Sequence, residues 1–171
     1  MFLVSDGNRE TRKAIIEKTA GDDGVIYVLL AAIDFEWTLR RTILALGRMP
    51  TKALLMEMDK IEYRHLNGQA RLWKKEVVGH YGKATPSLKA VINGGAKNLF
   101  GGATTVYGSL DKARKLRNRL VHGAQGGCGK DYACSCAKAF FAASDALVAF
   151  AELHNKNIYK LIRRIKPAKC R

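Results

Sequence analysis

Apolar residues recur at helical spacing along most of this chain, and no convincing run of period-two alternation appears anywhere in it. Such a pattern calls for helices packed on helices and leaves no strands from which to build a sheet. The clearest stretch contains Val28, Ala32, Phe35, Leu39, Ile43 and Leu46, with Asp22 or Asp23 placed to cap its start and Gly47 to stop it. A second long stretch begins after the glycine-rich segment 124–130. There Asp131 can cap a closing helix that includes Phe140, Leu147, Ala151 and Ile158 and runs to Ile165.

Ahead of the first of these, the spacing predicts a helix over 10–20. Another follows Pro50 through Met58, Ile61 and Leu66, and the pattern continues over 69–80. A shorter piece starts at Pro86, and the pairs Gly94-Gly95 and Gly101-Gly102 make 93–103 a loop or broken helix. Val106, Leu110, Ala113, Leu116 and Leu120 then define a helix ending at Gly123, a residue suited to the left-handed conformation just past a helix. No heptad persists and no repeat recurs at a fixed period. The expectation is an all-α bundle forming one domain over 1–171, with a long C-terminal helix and a basic tail from about residue 156.

The formal net charge of +15 makes a polyanion the natural partner. Nucleic acid fits best, although an acidic protein or an anionic membrane surface would also satisfy charge alone. Residues 1–10 carry too short an apolar cluster for a signal-peptide core. The apolar run 25–33 is about half of the ~20 residues that a membrane span needs and leads into Asp34, Glu36, Arg40 and Arg41. A cytoplasmic protein with no membrane partner is therefore expected, and with it reduced thiols at Cys128, Cys134, Cys136 and Cys170. The cluster Cys128, Cys134, Cys136 near His122 lacks the paired spacing usual in structural zinc sites, so no metal and no cofactor are assigned.

The segment Leu116-Arg117-Asn118-Arg119-Leu120-Val121-His122-Gly123 is the strongest chemical signal. Arginine offers a permanent cation whose planar fork fits phosphate oxygens, and histidine moves protons near neutral pH. On a helix Asn118 and His122 share a face, while Arg117 is offset from His122 by about 140° and roughly 7.5 Å, a gap its long side chain can cover. Arg117 and His122 are the candidate catalytic pair, with Asn118 assigned to hydrogen-bond and orient the imidazole or the backbone. For RNA, a neutral histidine can take the ribose 2′-hydroxyl proton while arginine stabilises the charge that develops at phosphorus. The bland reading of the same residues is a set of solvated cations and a helix-end histidine favoured by the macrodipole.

Arg117, Asn118, His122 and Gly123 match the R-N-x-x-x-H-G signature of the HEPN family, and the chain resembles that family on these residues. The resemblance implies a helical bundle that forms a homodimer, so that two Arg/His pairs share a cleft and cleave RNA without metal, leaving cyclic-phosphate and 5′-hydroxyl ends. It further implies a toxin or phage-defence effector restrained by an antitoxin or regulatory protein partner. Relatives without nuclease activity imply an alternative, a non-catalytic module that binds RNA or protein. A family variant has a tyrosine two positions after the histidine that a partner enzyme modifies; this chain has Ala124 there.

Glu36 and Arg40, four apart on an otherwise apolar helix, are expected to pair with each other, or else to line the cleft and orient Arg117 or the substrate. Arg114 and Arg119, with Lys160, Arg163 and Arg164 of the tail, are candidate RNA-backbone contacts, and Tyr159 is available to stack on a base. Asp59 and Glu62 lack the further carboxylates that a two-metal nuclease needs. His65, His80 and His154 are isolated in sequence and take no role. The segment 126–131 lacks the first glycine, the Ser/Thr and the preceding strand of a phosphate-binding loop.

Overall fold

The computed structural model describes residues 9–21, 23–94, 104–124 and 126–159. Among these every regular element is helical, so the all-α bundle expected from the spacing is what forms. The order is α1 (Arg9–Lys18), α2 (Gly24–Leu46), α3 (Thr51–Met58), a 3₁₀ turn (Ile61–Tyr63), α4 (Leu66–Trp73), a π segment (Lys74–Val78), α5 (Gly79–Tyr81), α6 (Leu88–Gly94), α7 (Val106–Val121) and α8 (Lys130–Leu153).

The core is the seam between α2 and α8, closed by α6 and α7. Both long helices start side by side, because Gly24 has no side chain: a Cβ there would lie 3.0 Å from the Ala133 Cβ. Further along, Phe35 packs against Phe140 at 5.8 Å between ring centroids, and Trp73 of α4 packs against Phe150 at 5.5 Å. The Trp73 indole N–H donates to the Pro86 carbonyl at 3.1 Å, which lets so large a side chain be fully buried without an unsatisfied donor. Helix α8 is long and apolar enough to cross a membrane by composition, but two-thirds of that window is buried inside the bundle, as expected of a core helix.

Asp23 is the cap of α2; its carboxylate accepts from the Val25 and Ile26 amides at 2.7 and 3.2 Å. Gly47 stops the helix at φ −68°, so its role is space and not a left-handed turn: a Cβ would meet Leu54 and the Ile43 carbonyl at under 3 Å. Three expectations change. The stretch after Pro50 is not one helix; it breaks at Asp59–Lys60, leaving Ile61 exposed and a crossing where α4 lies against the Glu62 backbone. Gly68 makes that crossing possible, since any Cβ there would collide with the Glu62 carbonyl. Helix α8 has Gly129 and not Asp131 at its cap, and it ends at Leu153 and not near Ile165. Asn155 adopts φ +56°, and the Asn155 and Lys156 amides return to the Glu152 and Ala151 carbonyls in a Schellman turn, so the apolar Ile158 reaches the core from outside the helix. Residues 95–103, expected to be a loop, lie outside the described residues.

Candidate active site

Helix α7 carries the Arg-to-His segment, and its placement follows from its two ends and one buried stripe. Thr105 caps the start, accepting from the Gly108 amide at 3.1 Å, and the Tyr107 amide donates to Asn93 Oδ1 at 2.9 Å, tying α7 to α6. Val106, Leu110, Ala113 and Leu116 are fully buried against the bundle and fix the rotation of the helix. Arg114 and Arg117, three apart, consequently share the flank that looks onto α2.

The end of α7 is a complete Schellman motif. The Gly123 amide returns to the Leu120 carbonyl at 3.4 Å and the Ala124 amide to the Arg119 carbonyl at 2.9 Å, with Gly123 at φ +69°. His122 is thereby the last, half-in residue of the helix. It is exposed, and its ring makes no hydrogen bond among the described residues.

Arg117 is held from two sides. Its Nη2 donates to Glu36 Oε2 at 3.1 Å and lies 3.1 Å from Oε1, while Nη1 donates to Asn118 Oδ1 at 3.1 Å. This geometry decides between the two readings of Glu36 and Arg40 and revises that of Asn118. Glu36 does not pair with Arg40: Glu36 engages Arg117, and Arg40 crosses to Asp59 at 2.8 Å. Asn118 orients the guanidinium next to it and not the imidazole of His122; only its backbone carbonyl is in contact with His122, accepting from the amide at 3.0 Å. The i,i+4 rule fails at Glu36 because a partner on a neighbouring helix lies within reach, which spacing along one helix cannot reveal.

Next to Arg117 is a pocket of about 340 Å³ between α2, α7 and the broken excursion α3–α4. Arg40, Arg64, Arg114 and Arg117 stand around it, with Glu36 its one carboxylate and Gln69 in its wall. Neither Arg64 nor Gln69 was marked by the sequence pattern. The available signal was Gly68, a glycine inside an apolar helical pattern, which marks close backbone approach and hence a fold-back bringing its neighbours to α2.

The other candidates separate. Arg119 is exposed, and Lys160, Arg163 and Arg164 lie outside the described residues. Tyr159 stacks on Trp37 at 5.6 Å, so its ring is engaged within the fold. His80 and His154, far apart in sequence, flank Tyr81 in one aromatic ladder with centroids 4.5 Å apart at each step. Cys128, Cys134 and Cys136 are free thiols, and no group of three or more metal-ligating side chains occurs among the described residues. Burial pushes the Cys136 thiol up to about 11, and it raises Cys128 as well, against the ready thiolate that a metal ligand or nucleophile requires.

No protein-family model, curated protein or solved structure matches this chain. The resemblance to the HEPN family thus rests on the residues at the end of α7.

Proposed function

We propose that this chain is a metal-independent endoribonuclease of the HEPN type, acting in the cytoplasm as a toxin or phage-defence effector that an antitoxin or regulatory protein restrains. The observation that carries the reading is that the end of α7 bears both groups: Arg117, oriented by Glu36 and Asn118, and an exposed His122 five residues further on. In this reading His122 takes the proton of a ribose 2′-hydroxyl, and the 2′-oxygen attacks phosphorus. The 5′-oxygen leaves with a proton, giving a 2′,3′-cyclic phosphate and a 5′-hydroxyl, while Arg117 stabilises the charge at phosphorus. DNA, lacking the 2′-hydroxyl, is not a substrate.

A second copy facing this one completes the cleft. What supports it is that the two helices carrying the site expose apolar side chains, Ile26 and Ile33 on α2 and Val121 next to His122 on α7, of a kind that interfaces cover.

The deciding experiment is incubation of labelled RNA in EDTA with the native protein and with His122→Ala, reading cleavage and the chemistry of the new ends. Native cleavage to cyclic-phosphate ends, falling by roughly 10²–10⁴-fold in the variant, supports the nuclease. Equal RNA binding by both proteins with no cleavage by either moves the assignment to a non-catalytic RNA-binding module.

A further inference from the structure

We infer that the four-arginine pocket is a nucleotide subsite: it takes the base and phosphate of the RNA residue next to the scissile phosphate. The inference rests on the ribonuclease reading for what lies beyond Arg117, but the pocket itself is argued from its own walls.

Its charge is the first observation. Four guanidinium groups face one lining carboxylate, and that carboxylate is already engaged by Arg117. Arg40 has Asp59, and Arg114 has a looser partner in Asp111 at 3.8 Å. Arg64 has no carboxylate partner among the described residues; it makes only two long contacts, each 3.4 Å, to the Asp59 backbone carbonyl. A cation so weakly tethered at the mouth of a cationic pocket is free to close on a phosphate.

The floor is the second observation, and it distinguishes a nucleotide from a bare anion. Phe35, Leu39, Met58 and Leu66 form it, with no charged group among them. A flat heteroaromatic base matches this mixture of apolar floor and cationic rim, since guanidinium groups stack on bases as well as pairing with phosphates. Gln69 adds a polar group in the wall: its amide N–H donates to the Tyr63 carbonyl, leaving the side-chain oxygen without a hydrogen-bond partner. The volume of about 340 Å³ falls at the small end of the range for ligand pockets, about 300–1,000 Å³.

Continuity with the reaction site is the third. Arg117 belongs to both, and Arg114 stands one turn behind it, about 4.5 Å along the axis at 1.5 Å per residue. A strand whose scissile phosphate meets Arg117 and His122 therefore has its neighbouring residue at the pocket mouth.

The test is calorimetric binding of the four nucleoside 5′-monophosphates, ribose 5-phosphate and inorganic phosphate to the native protein. At least one nucleotide should bind about tenfold tighter than ribose 5-phosphate, the scale of a base contact. Arg64→Glu should lose roughly tenfold of that affinity with the circular dichroism unchanged, and Gln69→Leu should reorder the four bases. A trinucleotide protected by 2′-O-methyl groups should bind tighter than any mononucleotide, and Arg117→Ala should remove that gain.

Nucleotides binding no tighter than ribose 5-phosphate would overturn the subsite, as would affinities unmoved by both variants. A trinucleotide no tighter than a mononucleotide would make the pocket a site for free nucleotide instead, and displacement by a glutamate-rich peptide would make it a protein-docking site. Cleavage by the native protein separates the two readings: base-dependent binding with no cleavage sinks the ribonuclease alone, whereas cleavage without base-dependent binding sinks the subsite alone.

Discussion

Helix α2 carries two carboxylates two positions apart, and each is matched to an arginine from another helix. Asp34 meets Arg12 of α1, with Nε at 3.1 Å and Nη2 at 3.0 Å, both side chains at most 3% exposed. Glu36 meets Arg117 of α7 at the same distance, but the two side chains are 49% and 28% exposed. The Arg12 guanidinium also lies 4.3 Å over the Trp37 ring, next to Arg41, whose own pKa burial and the Arg12 cation push down. Same chemistry, same separation and same helix thus give two different devices. Removed from water, the inner pair locks α1 onto α2, where loss of one partner would strand a buried charge; left half in water, the outer pair holds its arginine in place at the surface.

The largest expected effect lies on the inner side. Asp34→Ala leaves the Arg12 cation buried without its carboxylate and should cost about 3–5 kcal/mol in denaturant unfolding. Replacing both partners by apolar residues, Arg12→Met with Asp34→Leu, should recover most of that loss, because no buried charge remains. If the single variant unfolds with unchanged midpoint, the inner pair is no lock and the contrast collapses.

On the outer side, the loss should appear in chemistry instead. Arg117→Ala should lower the rate of RNA cleavage roughly 10²–10³-fold, the scale of one charge-stabilising donor. Its thermal midpoint should barely move, since a half-exposed pair contributes about 0–1 kcal/mol. An equal drop in stability would assign Arg117 to the fold rather than to the reaction.

How much of this was legible in the sequence follows the same division between what lies along one helix and what lies between helices. Caps, stripes and stops are local: Asp23, the α7 stripe and the Gly123 turn that leaves His122 at the helix end all stand in the order of residues. Partners across helices are not. Spacing pairs Glu36 with Arg40, yet the fold sends each elsewhere, and it cannot show that Arg64 and Gln69 come to face α2. The early end of α8 was hidden for a related reason: Ile158 continues the apolar period by coincidence while Asn155 has already turned the chain.

The smallest effect is the one that most sharply tests the holder. Glu36→Gln keeps the shape of the side chain and removes its charge, so Arg117 retains a hydrogen-bond acceptor but loses the competing anion. Stability should fall by less than about 1 kcal/mol, within the range for exposed pairs. Affinity for RNA should rise a few-fold at low salt, because one negative charge beside the phosphate is gone, and the gain should shrink as ionic strength approaches about 1 M, where the screening length is ~3 Å. Turnover should fall at the same time, since a guanidinium freed from its orienting carboxylate meets the transition state from a wider set of positions. Tighter binding with slower cleavage is the signature of a positioning carboxylate. Weaker binding and unchanged cleavage would instead mean that Glu36 touches the RNA directly, and the two pairs on α2 would then differ in more than their exposure to water.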